Sequence, residues 1–149
     1  MPAIEFNIHN GIGLLTVNRP EVRNALNLQA MADFAAAIDQ AHATTELRAL
    51  IVTGSGKAFI SGRVISAPEA HRLGIVTHLT PPDEALSSAM MIADSLAEYE
   101  PGAIRAYKRI LRAAQSSIAE AQAVERAEFP KLWAAETHHS AVERFLGKE

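Results

Sequence analysis

Residues 4–17 alternate apolar and polar side chains with a period of two: Ile4, Phe6 and Ile8 share one face, Asn10-Gly11 interrupts, and Ile12, Leu14 and Thr16 resume the pattern into Val17. That period belongs to a half-buried strand, and Asn-Gly tolerates the positive φ of a tight turn, so the segment predicts a β-hairpin. Arg19-Pro20 closes its second strand. From Asn27 the period lengthens. Met31, Phe34, Ala35, Ile38 and Ala41 recur at helical spacing, with Asn27 placed to cap the helix start and the pattern fading near Thr44-Thr45. Leu50-Ile51-Val52, closed by Thr53-Gly54, is a continuous apolar run. It predicts a strand buried on both faces and reached through a β-α-β crossover.

A second apolar stub, Ala58-Phe59-Ile60, follows at once. Ser66-Ala67-Pro68-Glu69 then carries the residues of a capping box, with Pro68 in the first turn where its missing N–H does no harm, and predicts a short helix that stops at Gly74. Residues 75–79 read as one more strand, punctuated by Thr80-Pro81-Pro82. Everything after Asp83 is helical in pattern. One helix reaches about Tyr99; Pro101 opens a second with the stripe Ile104, Tyr107, Leu111 and Ala114; Ser117 and Glu120 cap a third through Trp133; a last one carries Val142, Phe145 and Leu146. Strands crowd the first half and helices the second.

Composition narrows the partners. The 149 residues are 48% hydrophobic and 21% charged, the balance of a globular protein with one sizeable core. Fourteen Lys and Arg against seventeen Asp and Glu leave a net charge of -3, so no basic field draws a nucleic-acid backbone or an anionic membrane. The deficit lies wholly beyond residue 63, because residues 1–63 hold five basic and five acidic side chains. With no Cys, disulfides, thiolate catalysis and iron-sulfur ligation are excluded. The N-terminus MPAIEFNIHN has neither a basic nor an apolar signal region, and no stretch approaches a bilayer's span, so a cytoplasmic protein is expected.

Candidate chemistry is sparse. Gly54-Ser55-Gly56-Lys57 invites comparison with a phosphate loop, but Ile51 and Ala58 stand where that loop needs Gly and Ser or Thr. What survives is a Gly-rich turn whose backbone N–H groups and Lys could meet an anion, and a plain connecting turn fits the spacing equally well. The six His show no metal-ligand spacing, and no metal is expected. No G-x-S-x-G elbow marks a nucleophilic Ser. The residues alone lead to an α/β domain with an anion-accepting turn.

Three segments together resemble the crotonase superfamily of enoyl-CoA hydratases and isomerases. Val17-Asn18-Arg19-Pro20 with Arg23-Asn24-Ala25-Leu26-Asn27 is similar to the family's N-R-P-x-x-x-N-A-L-N signature. Residues 50–54 through Lys57-Ala58-Phe59-Ile60-Ser61-Gly62 resemble its strand and K-A-F-x-x-G turn. Gly62-Arg63-Val64-Ile65-Ser66-Ala67-Pro68-Glu69-Ala70 with Gly74-Ile75-Val76 resembles its later G-R-x-I-S-A-x-E-A segment, and the helical tail continues the pattern. The resemblance implies an α/β, crotonase-like β-β-α spiral core, incomplete in this sequence, over residues 1–63, followed by a C-terminal part over 64–149 with a helical oligomerisation layer. It implies an acyl-CoA thioester partner in fatty acid metabolism, with coenzyme A as part of the substrate and no separate cofactor, and a homotrimer or hexamer. Arg23, Ala25 and Leu26 match positions near the coenzyme A adenine and pantetheine, and Lys57 and Ala58 match positions lining the same groove. The packing of a helix start accounts equally well for Ala25 and Leu26, and solvation for Arg23 and Lys57. The backbone N–H of Arg63 matches an oxyanion donor, which stabilises the enolate-like charge of the transition state.

The departure from the family is as informative as the match. Gly62-Arg63 serves the second and third motifs at once, where the family carries on the order of a hundred residues between them. Those residues include both catalytic Glu; Glu69 and Glu120 are explained by their capping boxes, and no other carboxylate fits. Two readings follow: an enzyme that hydrates or isomerises an enoyl-CoA, with its catalytic Glu in a segment this sequence does not hold, or a non-catalytic, internally deleted remnant serving as a coenzyme A-binding or oligomerisation module. A deletion would leave strand edges unpaired and apolar faces exposed. A break between Gly62 and Arg63 would instead part Cα atoms that a peptide bond holds about 3.8 Å apart.

Overall fold

The computed structural model describes residues 2–60 and 65–147. The Gly62-Arg63 junction, and with it the proposed break and the boundary at residues 63 and 64, lies outside the described residues. The chain divides into two compact units, Met1–Ala97 and Glu98–Glu149.

In the first unit, β1 (Ile4–His9) and β2 (Ile12–Val17) form the expected antiparallel hairpin, in register from Ile4 opposite Val17 to His9 opposite Ile12. Asn10 (φ 49°) and Gly11 (φ 76°) are both left-handed, as a two-residue hairpin turn with the strands' own twist demands. A single 3-10 turn, Pro20–Val22, leads to α1 (Leu28–Ala43), and the crossover returns β3 (Ala49–Gly54) parallel to β2. The sheet order is β1-β2-β3. The central strand carries the core: Ile12, Leu15 and Val17 are buried.

Two expectations change here. The strand β3 is half-exposed along its whole length rather than buried on both faces, because it is the edge of the sheet among the described residues. The buried side of α1 is formed by Ala30, Ala37 and Ala41, while Met31 and Ala35 face outward. Small side chains let the helix approach the sheet closely, and that contact outweighs the larger apolar side chains in choosing the face. The Asn27 cap is as expected, its side chain accepting from the Ala30 N–H at 2.9 Å.

α2 (Ala67–Arg72) starts at Ser66, whose hydroxyl accepts from the Glu69 N–H, and ends at Gly74 with φ 73°. The strand expected over residues 75–79 is absent. The N–H groups of Ile75 and Val76 turn back to the Ala70 carbonyl at 2.9 and 3.3 Å, closing the helix end instead of offering a ladder. Residues 58–60 likewise form no strand. The unit closes with α3 (Ala85–Ala97), which packs against β2 and β3.

The second unit is an αα-hairpin, α4 (Pro101–Ser116) and α5 (Ile118–Trp133), followed by α6 (Glu136–Phe145). Ser117 joins the hairpin alone, its N–H donating to the Ala113 carbonyl and its hydroxyl accepting from the Glu120 N–H, both at 3.1 Å. Ala106 and Ala121 are buried between the helices. Tyr107 and Leu111, expected on the buried stripe of α4, are exposed; the alanine face turns inward, as in α1. Val142, Phe145 and Leu146 are also exposed. Among the described residues no helix is long and apolar enough to cross a membrane.

Candidate functional site

Two loops leave the carboxyl ends of adjacent parallel strands, where open α/β sheets gather their ligands. One follows β2 and runs from Asn18 to Asn27; the other follows β3 and turns through Ser55, Gly56 and Lys57. Val17 pairs with Gly54 in the ladder, and the Ser55 N–H donates to the Val17 carbonyl at 2.9 Å, so the loops start side by side.

The first loop is wound tightly. Its 3-10 turn ends in Arg23 (φ 53°) and Asn24 (φ 61°), both left-handed, and the Asn24 N–H donates to the Arg19 carbonyl at 2.8 Å. Left-handed backbone disfavours most side chains but is tolerated by Asn. The Arg19 guanidinium donates to the Ala25 carbonyl. Asn24 is wholly buried, the one buried polar side chain of the described core. Its Oδ1 accepts from the Arg19 N–H at 2.9 Å, and its Nδ2 donates to the Ser55 carbonyl at 2.9 Å and the Ala58 carbonyl at 2.6 Å. Every hydrogen-bonding atom of this buried amide thus has a partner, and two of the partners lie on the other loop.

Gly54 makes this approach feasible. A Cβ there would stand 2.2 Å from the Phe59 carbonyl oxygen and 2.6 Å from Asn24 Nδ2, so only glycine lets the turn fold over the asparagine. Beside the turn, an open cleft of about 330 Å³ lies between β3 and α3, lined by residues 51–54 and 56–59 with Ala85, Leu86 and Ala89. Lys57 is its charged lining residue, and none of the lining residues is a carboxylate.

Of the positions singled out in the sequence, Lys57 and Ala58 line this cleft. Arg23, Ala25 and Leu26 lie on the loop that Asn24 ties to the Ala58 carbonyl; Arg23 is exposed and the other two are half-buried. Arg63 lies outside the described residues. Among the described residues no group of His, Asp or Glu is placed to hold a metal ion. Asn24 stands inside the first motif, which by itself assigns it no role. An asparagine beside a proline-led turn was the local signal, but two of its three partners lie 31 and 34 residues away.

Residues 7–66 match the family model of enoyl-CoA hydratase/isomerase. The chain is 38% identical over 87 residues to a probable enoyl-CoA hydratase of Rhodobacter capsulatus, covering 58% of this chain and 33% of that protein. It is 35% identical over 95 residues to the 2,3-dehydroadipyl-CoA hydratase of Escherichia coli, covering 63% and 37%. The matches therefore span about a third of the length of these relatives. Among solved structures, the fold is similar to an enoyl-CoA hydratase/isomerase from Cupriavidus metallidurans, with TM-score 0.87, 16% identity, and 100% of this chain and 95% of that chain covered. An enoyl-CoA hydratase from Polaromonas gives TM-score 0.85 at 18% identity, covering 99% and 98%. At such identities the likeness speaks for the fold.

Proposed function

We propose that the chain, whose residues 7–66 match the enoyl-CoA hydratase/isomerase family model, is a member of the crotonase superfamily and binds an acyl-CoA thioester across the two loops at the carboxyl ends of β2 and β3. Arg23, Ala25 and Leu26 face the adenine and pantetheine portions, Lys57 offers its ammonium to a phosphate, and Ala58 lines the groove. The observation that carries this reading is the Asn24 tie, which joins the loops bearing both sets of family-matched positions. A turn with Gly56 at φ 76° and an exposed Lys beside an apolar cleft suits a ligand with a charged head and an apolar arm.

In the same reading the chemistry is hydration or double-bond isomerisation of an enoyl-CoA. The thioester oxygen takes the Arg63 N–H, and the proton is moved by carboxylates outside this cleft, whose described lining holds none. A cytoplasmic setting belongs to the reading as well, and so does self-association through α4, α5 and α6, which the exposed Tyr107, Leu111, Phe129 and Trp133 support.

Calorimetric titration with coenzyme A and crotonyl-CoA tests it. Saturable binding of both is expected, with Lys57→Ala weakening both together. No binding of either at about 1 mM, where only some -4 kcal/mol of interaction would be needed, would overturn it.

A further inference from the structure

We infer that Asn24 is a positioning residue, holding the loop of Arg23, Ala25 and Leu26 and the turn of Lys57 and Ala58 in the mutual arrangement that a coenzyme A thioester meets. This rests on the binding reading above and deepens it, since Asn24 is wholly buried and acts only through its neighbours.

The side chain fits that task closely. One short amide supplies two donor hydrogens for the Ser55 and Ala58 carbonyls and an acceptor for the Arg19 N–H. Aspartate would aim oxygen at two carbonyl oxygens, serine would offer a single donor, and glutamine would be one methylene too long. The left-handed backbone at residue 24 narrows the choice further toward asparagine. Gly54 is part of the same device. A side chain there would displace both Asn24 Nδ2 and the Ala58 carbonyl, whose oxygen would be 2.7 Å from the new Cβ.

The two loops share strand origins but no covalent link nearer than α1, so without the amide they can part. A binding surface assembled for only a fraction of the time shows an affinity reduced by that fraction. Asn24 therefore acts on ligand affinity through population, beyond its contribution to folding.

The test compares Asn24→Ser and Asn24→Asp with Leu15→Ala, a wholly buried core change on β2 that lies on neither loop. Coenzyme A binding is measured by calorimetry at a temperature where circular dichroism shows each variant folded, and amide exchange is followed in parallel. About tenfold weaker binding is expected for Asn24→Ser, matching a surface assembled roughly a tenth of the time, and a larger loss for Asn24→Asp. Leu15→Ala should stay within about twofold of wild type, since it leaves the loops tied. The Ser55 amide, which donates to the Val17 carbonyl at the base of the two loops, should exchange faster in Asn24→Ser while those of β2 do not. If Asn24→Asp does not fold, the milder Asn24→Ser carries the comparison. Equal affinities in Asn24→Ser and Leu15→Ala would reduce Asn24 to a structural residue and overturn the inference. A wild-type protein that binds no coenzyme A would overturn the underlying reading as well, and the two failures are told apart in the unmutated chain.

Discussion

The two compact units close their interiors with different materials. The unit of residues 1–97 buries Ile12, Leu15 and Val17 on a central strand and fixes its loops with the neutral, wholly buried amide of Asn24. The unit of residues 98–149 buries Ala106 and Ala121 between two helices and links them at the surface, where Glu128 of α5 accepts from Arg109 of α4 and from Lys131 one turn on. A sheet edge and two irregular loops have no local rule that sets their spacing, so a multiply bonded side chain has to do it. Helices joined by one residue are already held in register by alanine packing, and an ion pair there adds little. Precision in the first unit comes from burial, and in the second from geometry.

The largest expected effect separates the cores. Leu15→Ala removes a fully buried side chain beneath both neighbouring strands and should cost about 2 to 5 kcal/mol in urea denaturation. Leu111→Ala, on the outer face of α4, should stay within about 0.5 kcal/mol in protein dilute enough to be monomeric. A loss at Leu111 in the monomer approaching that at Leu15 would mean that its face is packed within the chain itself, and the contrast between the units would fail.

The next effect runs in the opposite direction of size. Close helix approach over Ala106 leaves no room for a larger side chain, so Ala106→Leu should destabilise by about 1 to 3 kcal/mol, while Ala114→Leu on the exposed side is near neutral. If thermal denaturation shows Ala106→Leu unchanged or stabilised, the hairpin interior is looser than an alanine-packed contact allows.

What could be read from the sequence follows the range of the interactions. The Asn10-Gly11 turn, the Asn27 and Ser117 caps and the stop at Gly74 were all legible, because each is decided by residues within four positions. Ala41 was legible in the helical stripe as well, but the choice of Ala30 and Ala37 over Met31 and Ala35 for the inner face of α1 was not, since it depends on how near the sheet lets the helix come. Residues 75–79 have the composition of a strand, but a strand needs a partner edge, and the Ala70 carbonyl takes the first two N–H groups. The candidate site divides in the same way. Its family-matched positions could be quoted from motifs, whereas the amide that brings Arg23 and Ala25 to Lys57 and Ala58 bonds across more than thirty residues.

The smallest effect contrasts the two ties by pH and salt. The Arg109 guanidinium beside Glu128, opposed by some desolvation and aided by the Lys131 ammonium, holds the Glu128 carboxyl below its usual range. A carboxyl whose folded-state pKa is depressed contributes stability that is fully present above its unfolded value and is lost as pH falls through the folded one. Acidification from about pH 5, just above the range of an unperturbed Glu, should therefore begin to erode the α4–α5 link. Glu128→Gln should remove that part of the pH dependence. Added salt should weaken the same link at neutral pH, because the pair lies at the surface where counterions reach it. Asn24 carries no charge, so exchange of the Ser55 amide, which bonds the Val17 carbonyl, should report, once corrected for its intrinsic pH dependence, an opening equilibrium that neither acid nor salt shifts over that range. A salt-sensitive opening at that amide would show that the first unit is also held by charge, and the distinction between the two ties would collapse.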